Sequence, residues 1–429
     1  MRARMSDRIS RRQLLKLLAV TAGSAGLGKV LGSSLSPGAG QELLDEYAYL
    51  PFISKAVTDT PTATATPTAT PTSTPTATPT PTSTPAVARV VHVHSDEATF
   101  WDFGDGYYGD FVDQDAVNAM VDRGVTALTG AASLAQAWQT LVPDYVPGKA
   151  VAIKVNFNGC YGCETTGLGI DALAHPINAI VHGLLQAYPD FSPADVWVYD
   201  ATRAGDRRQI PGRFTRGCLY PGVRFFDGDC NETAGYDSAD PTAAITWHNP
   251  PDISTPLPAQ ISDVLVGAAY LINVPIMKRH GSAGVTLSFK NHFGSVANCS
   301  DLHTWAFPGR AQYGHTRYNP MVDIYRNAHI LDKIVLTVGD ALFGNRECQT
   351  GKPSPWVTFE NGAPNSLFFS ADPVAMDCVM CDLLDAEEAI WDTADDYLVY
   401  AASLGLGTYE RGDPWGGGYT QIDYLKIEL

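Results

Sequence analysis

From Val90 onward, short apolar runs that end in polar or charged side chains alternate with segments of helical periodicity. Val90-Val91-His92-Val93-His94, Lys149 to Asn156, Asp195 to Asp200, Tyr270 to Val274, Ile334 to Val338 and Leu367 to Ser370 read as strands. Asp115 to Leu128 and Leu134 to Leu141 read as helices. So does His175 to Tyr188, whose apolar residues fall at Ile177, Ile180, Val181, Leu184 and Leu185, one face of a 3.6-residue period. This alternation predicts an α/β domain with a largely parallel sheet flanked by helices, a Rossmann-like three-layer arrangement. The stretch from Ala201 to Ile261, rich in Gly, Pro and Asp, is expected to be an irregular insertion.

Such a fold restricts where chemistry can sit, because ligands of open α/β sheets bind outside the carboxyl ends of the strands. Lys154 and Asn156 close the Lys149 run, and Asp200 closes the next. Lys278 and His280 follow the Tyr270 run, Asp340 the Ile334 run, and Asp372 the Leu367 run. An Asp after a strand is often only a helix cap. Five segments delivering Lys, Asn, Asp and His to one edge are expected to converge on one site.

The richest run extends from Lys278 to Gly294. Gly281 and Gly284 allow close backbone approach to a ligand, Lys278 and Lys290 supply charge, and His280 and His292 can transfer protons or bind metal. From Val285 the residues fit a helix stripe (Val285, Phe289, Phe293, Val296) and also a strand (Val285, Leu287, Phe289). A helix beginning after the glycine turn is the preferred reading, since its N-terminus would face an anion. The glycine spacing is not that of a P-loop. Asp301, His303 and His315 are expected in a loop beside Trp305 and Arg310, extending the pocket wall. His92 and His94 share one face of a strand, as a metal pair would, although such pairs are more often structural. No G-x-S-x-G elbow is present.

Upstream of the domain, Ser10-Arg11-Arg12-Gln13-Leu14-Leu15-Lys16 follows a basic start and precedes a weakly apolar segment from Leu17 to Leu31. That segment falls short of the ~20 apolar residues of a membrane span. A basic head with paired arginines before a short apolar core reads as a twin-arginine export signal over residues 1–40. The expected partner is the twin-arginine translocase, and the expected location is outside the cytoplasm. Residues 41–86 read as a linker. Between Thr60 and Pro85 it is nearly pure Pro, Thr, Ala and Ser, which cannot form a core. In an extended polyproline form it would span on the order of 80 Å, either as a stalk associated with the envelope or as a passive tether.

The chain carries a formal charge of −17, and its first forty residues hold seven basic groups and one acid, leaving −23 on the rest. So negative a domain is not expected to bind nucleic acid or anionic lipid. Eight cysteines in an exported protein suggest disulfides. Cys160-Tyr161-Gly162-Cys163 lies in a Gly-rich loop near Lys154 and Asn156, and is open to a disulfide, a metal or redox role, or none. Cys378-Val379-Met380-Cys381 sits in an apolar helical stretch that suits the core. Together the two pairs could form a four-thiolate site.

Three segments carry a family resemblance: Ile153-Lys154-Val155-Asn156; Pro275 through Lys278, His280, Thr286, Lys290, Asn291 and Gly294; and Ser370-Ala371-Asp372-Pro373-Val374-Ala375-Met376-Asp377. In this order the chain resembles, over about residues 88–385, the family called domain of unknown function 362. The resemblance implies an unsettled activity, with iron–sulfur clusters in relatives that carry a ferredoxin-type C-x-x-C-x-x-C-x-x-x-C-P run. That run is missing here. The expected site therefore comprises Lys154, Asn156, Lys278, His280, Lys290, Asn291 and His292 as catalytic groups. Gly281, Gly284, Asp340 and Asp372 are expected at a cofactor, and Cys160 and Cys163 at a metal. The cofactor is open between none, a metal ion and an iron–sulfur cluster. The leading expectation is an exported enzyme acting on a small anionic molecule. An iron–sulfur or metal-linked redox protein and a non-catalytic envelope binding domain on a stalk are the alternatives.

Overall fold

The computed structural model describes residues 88–160, 162–164, 169–201, 209–250, 254–281, 283–297, 299–306, 318–347, 350–387 and 394–429. The expected export signal, the Pro/Thr-rich linker, Arg310 and His315 lie outside them. Two units divide the chain, Met1–Thr80 and Pro81–Leu429, and every described residue belongs to the second. Among the described residues no helix is long and apolar enough to cross a membrane.

The strands alternate their side chains between two cores. In β2 (Val151–Lys154), Val151 and Ile153 enter one core and Ala152 the other. β3 (Val196–Tyr199) divides Val196 and Val198 from Tyr199 in the same way, and β6 (Tyr270–Asn273) divides Tyr270 and Ile272 from Leu271. Burial on both faces requires helices on both faces. On one side lie α1 (Gln114–Thr129), α2 (Leu134–Leu141) and α3 (Ala174–Ala187). Asp113 caps α1 by accepting from the Ala116 amide, Gly130 closes it in a left-handed conformation (φ 67°), and Ser133 caps α2. The opposite side receives α5 (Asp263–Gly267), α6 (Ser288–Asn291), α8 (Pro320–Tyr325), α9 (Ala328–Leu331) and α10 (Pro373–Ala386). A fully buried Leu, Ile or Phe contributes roughly 1.5–3 kcal/mol, so two such cores account for a large three-layer domain.

The sheet has 11 strands, and its main path runs β11-β1-β10-β9-β6-β2-β3-β4-β5. It is mostly parallel; β10 (Ser366–Ser370) runs against both β1 (Ala88–His94) and β9 (Ile334–Asn345). β11 (Ile422–Glu428) pairs in parallel with β1. β7 (Ile276–His280) and β8 (Gly284–Thr286) form a hairpin against the second half of β9. The expected α/β fold with a largely parallel sheet is the observed one.

Three local expectations are corrected. The Ala201–Ile261 stretch is not wholly irregular, because it contains α4 (Gly212–Gly217), β4 (Arg224–Asp227) and β5 (Glu232–Thr233), which extend the sheet. The helix expected straight after the glycine turn begins only at Ser288, because Gly284–Thr286 first pairs as β8. The segment around His303 is a helix, α7 (Cys299–Ala306), rather than a loop.

Connectivity decides where a site can lie. From β2 the chain passes through α3 to β3, on one face of the sheet. From β6 it passes through α6 and α8 to β9, on the other face. β2 and β6 are neighbours in register, with Lys154 opposite Asn273. The path therefore diverges between them, which opens a crevice at their carboxyl ends, the switch point of a doubly wound sheet.

Candidate functional site

Lys154 is the last residue of β2 and lies on the same face as Ala152, toward α6. Its side chain is fully buried, and its Nζ donates to Asp200 Oδ1 at 3.0 Å, to Asn291 Oδ1 at 3.3 Å and to the Val155 carbonyl. Asp200 follows β3 and accepts the Phe157 amide at 2.8 Å through its other oxygen. Asn291, at the end of α6, donates to Asn273 Oδ1 at 2.8 Å and accepts from Asn156 Nδ2 at 3.2 Å. Asn273 in turn donates to the Ser288 carbonyl at 3.0 Å. One buried network thus ties the ends of β2, β3 and β6 to α6. Charges removed from water persist only when paired and hydrogen-bonded in this way.

Gly294 closes the network from above. A Cβ there would lie 2.0 Å from Asp200 Oδ1 and 2.6 Å from Lys154 Nζ, so only glycine lets this backbone rest on the ion pair.

Beside the network is a narrow cleft of about 20 Å³, lined by Asn156, Asn158, Asp200, His280, Thr286, Lys290, Asn291, Phe293 and Gly294. Lys290 Nζ lies 3.8 Å from the centre of the Phe293 ring and 3.3 Å from His303 Nε2. An ammonium only donates, so that contact leaves the proton of a neutral His303 on Nδ1. His280 stacks on His303 with ring centres 5.7 Å apart. His280 Nδ1 accepts the Ala283 amide at 3.2 Å, which puts the proton of its neutral form on Nε2.

Lys278 goes elsewhere. It follows Ile276 on the opposite face of the sheet, and its buried Nζ donates to the Ile170 carbonyl at 2.8 Å. Asp340 and Asp171 flank it. Burial pushes Asp171 up to about 6, against the pull of Lys278, the Gly159 amide and Arg213. Burial pushes Asp340 up to about 7, against the Leu342 amide and Lys278. The Tyr108 hydroxyl accepts the Asp171 amide at 2.8 Å and donates to its carbonyl at 2.9 Å.

The remaining expected site residues are dispersed. Fully buried His292 is bonded to Ser295 Oγ at 3.0 Å, and burial, then Lys154, pulls its pKa well down. It lies behind the cleft wall. Gly281 and Gly284 form the β7–β8 turn, Gly284 with φ 79°. Asp372 caps α10 by accepting the Ala375 amide at 2.8 Å and ties down Thr408 at 2.9 Å. The anion expected at the N-terminus of α6 is the protein's own Asp377. It accepts Ser288 N at 2.8 Å and the Tyr397 hydroxyl at 2.9 Å.

Cys163 forms a disulfide with Cys230, and Cys160 is a buried thiol pushed up to about 12 by burial. A thiolate-bound metal or cluster needs both members of that pair as thiolates, and these two do not fit one. Cys378 and Cys381 are buried in the core on α10. No group of three or more His, Cys, Asp or Glu suited to a metal occurs among the described residues. His92 bonds the Tyr424 hydroxyl at 2.7 Å and Ser366 Oγ at 2.8 Å and stacks on Phe368, while His94 pairs with Glu428. Both are structural. Asn273, Asp171, Arg213 and Tyr108 were not singled out in the sequence. Asn273 was accessible as the polar end of an apolar strand, whereas Asp171, in a loop before α3, had no such mark.

Residues 234–382 match the family model described as domain of unknown function (DUF362), so the chain carries a DUF362 domain there. The second and third of the family-like segments fall inside that span, and Ile153 to Asn156 lies outside it. No curated protein matches the chain. A crystal structure of a Thermotoga maritima protein from the Northeast Structural Genomics Consortium is similar at 10% identity and a TM-score of 0.33, covering 54% of this chain. The chain spans about half of that structure, 51% of its length.

Proposed function

We propose that this is an exported protein whose cleft at the β2–β6 switch point binds a small anionic molecule, a carboxylate or phosphate ester, and acts on it. Lys290 supplies the positive charge, and the Asn156 and Asn291 amides set orientation. His280, its Nδ1 occupied by the Ala283 amide, presents Nε2–H as a hydrogen-bond donor to charge that develops on the substrate. Lys154 and Asp200 are positioning residues that hold Asn291 and the Phe157 amide in place. The observation that carries the reading is the joint lining of one cleft by Lys290, His280, Asn156 and Asn291, at the place where α/β sheets bind ligands. Export rests on the Ser10 to Lys16 motif and the short apolar segment after it. The Pro/Thr-rich tract then serves as tether or stalk.

The test is turnover and binding of the exported protein against a panel of carboxylates and phosphate esters. Lys290→Met is expected to abolish binding of whichever anion the wild type takes, and His280→Gln to lower turnover more than affinity. Unchanged binding by Lys290→Met would sink the assignment.

A further inference from the structure

A second cleft, of about 450 Å³, lies at the other end of the sheet's carboxyl edge. That is within the ~300–1,000 Å³ of small-molecule sites. Three distant segments build it: His94 at the end of β1 with Asp96 just after it, Thr358 to Asn365 between β9 and β10, and Trp415 with Lys426 further along the chain. The middle segment, with six of the ten lining residues, belongs to residues 234–382, and the other two segments lie outside the DUF362 domain.

Its floor is aromatic. Trp415 is 41% exposed, Phe359 meets its edge at 5.1 Å, and Lys426 Nζ is 5.4 Å from its ring centre. Its rim is polar and partly uncommitted. Asn365 uses its amide oxygen to accept from Thr99, and its amide nitrogen has no partner among the described residues. The Thr358 hydroxyl is buried with no partner among them. Glu360 and Asp96 are exposed carboxylates at the mouth. The backbone is unusual as well. Of the five non-glycine residues at positive φ among the described residues, Glu360 (57°), Asn361 (65°) and Asn365 (47°) belong to this one loop. Side chains held in the left-handed region cost energy and cluster at ligand clamps.

The combination selects a chemical class. The two carboxylates disfavour an anion, and Lys426 over the indole disfavours a cation. The polar rim disfavours a purely apolar guest. A neutral ring with an apolar C–H face and a belt of hydroxyls meets each feature. Its face lies on Trp415 and Phe359, which are large amphipathic surfaces. Its hydroxyls donate to Asp96 and Glu360 and accept from Asn365 and Lys426. We infer that this cleft is a saccharide-binding site, separate from the cleft of Lys290.

The experiment is titration of the mature protein with soluble cello-, xylo-, manno- and chito-oligosaccharides, followed by tryptophan fluorescence and calorimetry. At least one series is expected to bind with Kd below about 1 mM. Trp415→Ala should weaken it at least about tenfold, and Glu360→Gln should weaken it as well in a protein whose turn is untouched. Lys290→Met should leave it unchanged, which separates this site from the proposed anion site. Absence of binding across the panel, or equal binding by wild type, Trp415→Ala and Glu360→Gln, would overturn the inference.

Discussion

Two buried lysines at the carboxyl edge of one sheet are accommodated in different ways. Lys154 points to the α6 side and forms a direct ion pair with Asp200 inside a network of asparagine amides. Lys278 points to the α3 side and donates to a backbone carbonyl, between two carboxyls that burial has moved toward neutrality. The first arrangement fixes charge, because neither partner can lose its ion without stranding the other. The second can take up or release a proton at Asp171 or Asp340 near neutral pH. A rigid pair holds a cleft in shape, and two titrating carboxyls make their surroundings sensitive to pH.

The comparison is most exposed at the lysines themselves. Lys154→Met leaves Asp200 buried without its cation, and should cost about 3–5 kcal/mol in urea unfolding. Lys278→Met should cost less, about 1–3 kcal/mol, because Asp171 and Asp340 can protonate in response. Equal losses would erase the distinction. Between these two in size is the Cys163–Cys230 disulfide, which joins residues 67 apart and tethers the loop around Asp171. Its removal by paired Ser substitutions should cost about 2–4 kcal/mol. Hydrogen exchange should rise over residues 157–160 and 169–171, with residues 288–296 unaffected; a rise in both would show that the two regions are not independent.

The pH profile sharpens the second region. Asp340 has a folded value of about 7 against 3.8 for the free side chain. The folded state therefore binds its proton more tightly than the unfolded state. The resulting stability is full below about pH 4 and is lost as pH rises through about 7. Asp340→Asn keeps the acceptor for the Leu342 amide but cannot titrate. Wild-type Tm minus variant Tm should fall steadily from pH 4 to 7.5, and a flat difference would deny the raised value. The smallest effect is expected at Asp377→Asn, about 1 kcal/mol, since the amide retains one acceptor for Ser288 N. It should still weaken anion binding at Lys290, because Asp377 anchors the start of the helix carrying that residue.

The sheet was legible because its strands are apolar at consecutive positions and end in polar residues. The runs at Val90, Lys149, Asp195, Tyr270, Ile334 and Leu367 all became strands. β4 escaped notice because Arg224-Phe225-Phe226-Asp227 is short and charged at both ends, and β5 is only two residues long. The segment from Val285 matched strand and helix templates because it is first one and then the other. Residue types at the site could be read from strand ends, but not the face each takes. Lys278 and Lys290 looked like partners in a single run. The parity of β7, which places Lys278 with Ile276, sends it through the sheet to Asp171. Asp377 was visible within a motif, yet its partner at Ser288 is 89 positions away, a separation that local pattern cannot bridge.

The pairing of β1 with β10 and β11 has a consequence for biosynthesis. The first strand of the sheet lies between two strands from the end of the chain, with Val91 opposite Phe369 on one side and Leu425 on the other. A ribosome adds about 5–20 residues per second, so β1 emerges well before either neighbour exists. Through that interval Val90, Val91 and Val93, all fully buried in the finished domain, belong to a strand with two open edges. Closure of the sheet on this side is therefore a late event that waits for synthesis of Ile422–Glu428. A nascent chain stalled before Ile422 should stay bound to chaperones and protease-sensitive at its N-terminal strand, however well the β2–β3–β6 region has already formed.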